Sequence, residues 1–283
     1  MLAIGLALMS SVLWGFSDYF GGVKSRSFPV PVVLAGTYGA SLAVMLIFIA
    51  ARGTGPPPTE YVFAGLGAGL VGIVGLSAFY RGLAIGTMSI VAPIAATGVS
   101  VPVITGLILG DEPGLAGSLG LVLAVVGIVL ASREDDESTI APREQRRSII
   151  LAVVAGLGFG TYFVLAEIGS NEDVAWTLLL SRVSGFPVVV LVALLVLRRG
   201  GARPGRSALA AIAGIGLLDL GANALFNVAS TMGELSSVAV ASSLYPVVTV
   251  MLAALLLGER VQGVQRVGVF VALIGVVLIA AGA

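Results

Sequence analysis

Strongly polar side chains are scarce in the long apolar stretches of this sequence, and each one is a candidate for chemistry. An ionisable group at the centre of a spanning helix costs ~2.5–3.5 kcal/mol, so it survives where it meets a partner or faces a cavity. Asp219, Asn223 and Asn227 recur at steps of four and share one helical face. Ser77 and Arg81 make a similar stripe earlier in the chain. Both stripes are expected to face the interior as polar lining for a small solute; the other reading is hydrogen-bonded glue between helices. Arg182, with Ser181 and Ser184 beside it, could hold a solute carboxylate through paired hydrogen bonds. It could equally pair with Asp219 or Glu167, or snorkel to the nearer surface. Tyr245 adds a hydroxyl to this candidate binding set.

Asp18 follows a run, residues 1–17, that holds no charged side chain. A carboxylate that alternates between charged and protonated forms could couple solute movement to protons. The alternative is a helix-end residue hydrogen-bonded near the interface, since the first apolar run is expected to end about four residues later. Pro93, Pro102 and Pro246 each remove a backbone hydrogen bond and free the carbonyl four residues before, at Ser89, Gly98 and Ser242. Freed carbonyls are tolerated where they line a cavity, and they permit bending, so these prolines are candidate gating positions; static kinks are the alternative. Tyr19, Tyr80 and Tyr162 are expected as interfacial anchors rather than stacking surfaces for a solute.

The chain has no Cys and no His, which excludes thiol chemistry and the commonest metal ligand. No metal or other cofactor is expected, and no GxxxxGK[ST] phosphate loop is present. A formal net charge of zero leaves no footprint for nucleic acid.

The elements that must position these residues follow from composition. With 58% hydrophobic and 11% charged residues, against roughly 25% charged in soluble domains, the chain is read as an integral membrane protein. About 20 apolar residues span a bilayer. Ten such runs are expected, at 2–22, 30–51, 61–80, 88–109, 114–131, 148–168, 174–197, 208–228, 235–257 and 262–281. They are continuous rather than alternating, which excludes a barrel. No Lys or Arg precedes the first run, so it does not resemble a signal peptide.

The two halves resemble each other. A shift of 148 lays "LGDEPGLAGSLGLVLAVVGIVL" along "LGERVQGVQRVGVFVALIGVVL", with Gly110, Gly120 and Gly127 on Gly258, Gly268 and Gly275. A shift of 143 lays "WGFSDYF" on "LGFGTYF", placing Asp18 on Thr161, and a shift of 146 places Ile73, Ser77 and Arg81 on Asp219, Asn223 and Asn227. The domain reading is a first five-helix repeat at 1–132, a polar connector at 133–147 and a second repeat at 148–283. Five helices is an odd number, so the second copy enters the membrane from the opposite side. The fold class is therefore all-α, ten transmembrane helices as two inverted five-helix repeats, with a solute site expected near the midplane between them.

These residues carry a resemblance. The paired "LWGFSDYF" and "GLGFGTYF" segments, the Pro-containing runs that lead into "LGDE" and "LGER", and the Gly-spaced runs that follow resemble the EamA family of the drug/metabolite transporter superfamily. The resemblance covers essentially the whole chain. It implies a carrier of small metabolites, often an exporter of amino acids or related compounds, with no ATP site. Asp18 and the pairing of Asp111-Glu112-Pro113 with Glu259-Arg260 depart from the general pattern.

The functional expectation is a secondary transporter that exports a small polar organic metabolite by alternating access, with proton coupling at Asp18 as an added feature. A lipid-linked precursor flippase of the same fold, an intramembrane enzyme using Asp18 with Asp219, and a non-transporting scaffold are the alternatives. Partners are then a small-molecule substrate and the lipid bilayer. One set of connectors and adjoining helix ends holds Lys24 and nearly all the Arg residues, whereas the other holds Arg52 alone. The positive-inside rule places the basic set in the cytoplasm and both termini outside the cytoplasmic membrane.

Overall fold

In hydrocarbon a backbone amide has no water to bond, so apolar runs close their hydrogen bonds within themselves as helices. A computed structural model describes residues 2–101, 105, 115–131, 140–232, 238, 241–242, 244–259 and 263–281. Among the described residues the regular structure is helical, without a strand. The helices in chain order are α1 (Leu2–Ser27), α2 (Val30–Arg52), α3 (Thr59–Ile85), α4 (Met88–Ala96), α5 (Leu115–Ala131), α6 (Pro142–Arg198), α7 (Arg206–Met232), α8 (Tyr245–Leu257) and α9 (Gly263–Ala281). Five of them, α1, α2, α3, α6 and α7, are long and apolar enough to cross a membrane. Large apolar side chains such as Ile47, Phe63, Leu191 and Leu255 point outward, as lipid-facing residues must. This is an integral membrane protein.

α6 is two arms rather than one rod. Asp173 leaves helical geometry, with φ −154° and ψ 108°. Its carboxylate accepts hydrogen bonds from the backbone N–H groups of Ala175 (2.9 Å) and Trp176 (3.1 Å), which caps the second arm. The break falls between the runs expected at 148–168 and 174–197. Elsewhere the helices outrun expectation. α1 continues to Ser27 through the polar residues after its apolar run, and α3 continues to Ile85.

The proline positions divide. Pro93 lies inside α4, which tightens into a 3₁₀ turn at Thr97–Val99. Pro246 instead occupies the first turn of α8, where a missing N–H costs nothing because that donor has no intrahelical partner. Residues 238, 241 and 242 before it are helical and Leu244 is a turn, so Pro246 stands where the run expected at 235–257 restarts as a helix. Pro102 lies outside the described residues. Pro187, inside the second arm of α6, was not among the candidates.

Packing repeats when the halves are exchanged. α1 lies against α7 and α8, while α6 lies against α3 and α4; α5 and α9 pack on each other. Glycine contacts fix the register. A side chain at Gly15 would strike Tyr245 and Val248 of α8, and one at Gly160 would strike Gly98, in the 3₁₀ turn that follows α4, and Val101 just beyond it. Gly216 presses on Thr37 of α2, as Gly69 presses on Ser181 of α6. Equivalent positions are therefore 145 apart for α1 and the first arm of α6, and 147 apart for α3 and α7. The shifts of 143 and 146 read from the sequence miss by two residues and by one. Helix packing selects the glycine that admits a neighbouring backbone, and more than one alignment of a Gly-Phe-Tyr-rich segment supplies a glycine.

Two ion pairs join the halves at opposite ends of the bundle. Arg26 meets Glu259 at 2.8 Å, and Glu259 also accepts from the backbone N–H (3.3 Å) and hydroxyl (3.4 Å) of Ser89. Arg52 meets Asp173 at 2.8 Å. Helix α2, 23 residues and about 35 Å long, separates the two arginines.

Candidate functional site

Six helices surround a cavity of about 510 Å³, counting its open mouth. α1 supplies Trp14 and Asp18, α2 Tyr38, and α3 Gly72 and Leu76. From the other half, α6 contributes Phe159, Tyr162, Phe163 and Arg182, α7 Asp219 and Asn223, and α8 Tyr245. Trp14, Gly72 and Asp219 fall near the middles of α1, α3 and α7, so the cavity lies at mid-depth in the bundle.

Part of the lining is a polar network. Arg182 Nη2 donates to Asp219 Oδ2 at 2.8 Å, with the Arg182 side chain 3% exposed. Its guanidinium carbon also sits 4.8 Å from the centroid of the Tyr38 ring, a cation–π contact. Asn223 Nδ2 donates back to the Asp219 carbonyl (2.7 Å) and to Asp219 Oδ1 (3.2 Å). Tyr162 donates its hydroxyl to Asn223 Oδ1 at 2.8 Å. Four residues on two helices thus fix one another's rotamers. Arg182 Nε and Asn227 Nδ2 stay buried without a partner.

α1 brings a second carboxylate to the lining. Asp18 is 6% exposed and makes no hydrogen bond or ion pair with the described residues. It stands nine residues before the end of α1, not four, so the helix-end reading is corrected: the longer helix carries it into the bundle. One turn before it, Trp14 packs against Phe163 (5.8 Å between ring centroids), Phe226 (5.6 Å) and Tyr245 (6.2 Å).

Of the expected site residues, the cavity gathers Asp18, Arg182, Asp219, Asn223 and Tyr245. Three others do not reach it. Asn227 is buried a turn beyond, at 1% exposed. Ser77 is half-buried away from the lining, and Arg81 is exposed. The correction has a geometric cause: at a shift of 147 the α3 equivalents of Asp219 and Asn223 are Gly72 and Leu76, which do line the cavity. One residue along a helix turns a side chain by about 100°, enough to leave the cavity. Arg182 lines the cavity and pairs with Asp219, one of the alternatives its sequence position left open; a single Nη2 contact makes that pair, and its Nε has no partner.

Sequence reasoning missed most of the aromatic lining: Trp14, Tyr38, Phe159 and Phe163. The repeat held the signal for part of it, because Trp14 and Asp18 match Phe159 and Phe163 at the shift of 145. Tyr19, Tyr80 and Tyr162 are all buried rather than interfacial. Tyr80 turns its hydroxyl to the Ser17 carbonyl at 3.4 Å, inside the core. Among the described residues no cluster of acidic side chains could hold a metal ion.

A helical membrane protein with a mid-depth cavity lined by aromatic and polar side chains has the build of a solute carrier. The EamA-like transporter family model matches residues 1–133 and 146–281, so the chain belongs to the EamA-like transporter family. It is 28% identical over 196 residues to the probable glucose uptake protein GlcU of Priestia megaterium, covering 65% of this chain and 66% of that protein. It is 27% identical over 197 residues to the glucose uptake protein GlcU of Bacillus subtilis (strain 168), covering 66% of each. The matches thus span just under two thirds of these relatives. A protein of known crystal structure shares the fold, with a TM-score of 0.65 at 17% identity, across 98% of this chain and 95% of the other.

Proposed function

We propose that this transporter moves a small polar organic solute across the cytoplasmic membrane by alternating access. The observation that carries the reading is a mid-depth cavity whose walls come from both halves of the chain, with an internally paired Arg182–Asp219 couple on one side and an unpaired Asp18 on the other. In this reading the halves, 1–132 and 148–283 around the connector 133–147, are inverted five-helix repeats. α6 supplies two of the ten crossings, one per arm. Exchanging the conformations of two such repeats turns a cavity open on one side into a cavity open on the other.

The roles follow from the geometry. Arg182 holds Asp219 and Asn223 in place, and the Asp219 and Asn223 oxygens with the Tyr245 hydroxyl contact solute. Asp18 takes up and releases a proton as the cavity opens to each side. α4, bent after Pro93 into its 3₁₀ turn, and α8, starting at Pro246, move as gates; Pro102 belongs to the same proposal. The Lys/Arg bias places both termini outside. Alternating access is reversible, so export, the direction expected from the family resemblance, and uptake, named for two relatives, differ only in the gradients that drive them. Glucose belongs in the first solute panel for the same reason.

The test is flux in proteoliposomes. Solute-driven counterflow is expected from the wild type and is expected to vanish in Arg182→Ala and Asp219→Asn. Unaltered flux in both variants would overturn the site.

A further inference from the structure

Resting on the reading of this cavity as the solute site, we propose that the solute is an organic monocation, its charged head held between Asp18 and the Trp14 ring and its body packed on the neighbouring aromatic wall. The charge balance of the lining points there. Among the described residues the cavity shows two carboxylates and one guanidinium, and that guanidinium is paired with Asp219 at 2.8 Å. Among the described residues Asp18 has no hydrogen-bond donor, although the residue is 6% exposed and lines the cavity. A buried carboxylate without a partner is strongly penalised, so an occupant that brings positive charge gains what the protein withholds. An anionic solute would meet the same carboxylate as repulsion. Its one attractive partner, Arg182, is already engaged.

The aromatic side chains fit the same chemistry. Trp14 and Asp18 are four residues apart on one helix, so ring and carboxylate stand one turn apart on the same face. Tyr245 approaches Trp14 edge-on at 6.2 Å, and Phe163 lies 5.8 Å from it. A cation against an aromatic face gains most where water is excluded, and Trp is the strongest such partner. Tyr38 already plays that part for Arg182 at 4.8 Å, and Trp14 is the tryptophan of the lining.

The experiment uses full-length protein carrying Trp176→Phe, so that Trp14 is the single tryptophan of a chain that has two. Its fluorescence is titrated with phenethylammonium, benzyltrimethylammonium, phenethyl alcohol, phenylacetate and glucose. The cations are expected to quench Trp14 saturably, while phenethyl alcohol and phenylacetate bind far more weakly. Asp18→Asn is expected to weaken the cations by about thirtyfold or more, the usual penalty for removing one partner of a buried charge pair, and Asp18→Glu to restore part of it. Failure of both cations to bind overturns the proposal, as does equal binding of phenethyl alcohol, or cation binding that survives Asp18→Asn. If Asp18→Asn does not fold, the ranking of cation, alcohol and carboxylate on the Asp18-containing protein decides alone. Glucose binding without cation binding removes the cation and keeps the carrier. A cation that binds yet shows no counterflow in proteoliposomes removes the carrier and keeps the binding class.

Discussion

On the wall built by α6 and α7, Arg182, Asp219, Asn223 and Tyr162 satisfy one another through contacts of 2.7 to 3.2 Å. At the equivalent places on the wall built by α1, α2 and α3 stand Tyr38, Gly72, Leu76 and Ser17, and beside them the unpartnered Asp18. The helices and glycine contacts match, but the chemistry does not. Scaffold positions answer to packing, which both halves share; cavity positions answer to the solute, and an asymmetric solute needs unlike walls. The paired wall contributes to stability and the lone carboxylate does not, so the two should separate in a melting experiment.

The largest effect is expected on the paired wall. Arg182→Ala leaves Asp219 buried without its partner and should cost about 3–5 kcal/mol, read as a lowered melting temperature of the detergent-purified protein. Replacing both partners by apolar residues, Arg182→Met with Asp219→Leu, should recover most of that stability and none of the transport. Recovery of transport would show that the pair is only structural.

Next comes the scaffold that the halves share. A methyl group at Gly160 must push into the Gly98 carbonyl and Val101, so Gly160→Ala should cost about 1–3 kcal/mol. Gly15→Ala, its equivalent in α1, meets a Val248 side chain and the Tyr245 backbone and should behave alike. Unequal melting of these two variants would break the equivalence of the halves.

Smaller still is the ionic contact at one end of the bundle. The Arg26 side chain is 34% exposed, and Arg26→Ala should change stability by no more than about 1 kcal/mol. The smallest effect on stability falls on Asp18. Asp18→Asn removes no hydrogen bond, so the variant should melt at or above the wild-type temperature while losing solute-driven flux. A clear fall in melting temperature would mean that Asp18 supports the fold.

Much of the architecture was legible in the sequence because apolar run length and missing charge translate directly into helices that meet lipid. Asp219 and Asn223 were legible as a stripe because a step of four always shares a helical face. Asp18 was visible as an isolated charge, although its depth was not, since α1 continues past its apolar run to Ser27. Ser77 and Arg81 failed for a sharper reason. The shift of 146 differs by one residue from the 147 fixed by the Gly69 and Gly216 contacts, and one residue rotates the stripe out of the cavity.

The sequence by itself determined that this chain is a helical membrane protein of duplicated character, because hydropathy and glycine spacing are local and additive. The tertiary structure decided which charges meet. Whether Arg182 waits for a solute or is held by Asp219, 37 residues away on another helix, depends on how α6 and α7 pack. Whether Asp18 finds a donor depends on six helices that converge on it. Hydrogen bonds and close ion pairs form only at contact distance, and only folding sets distances that short between residues far apart in the chain.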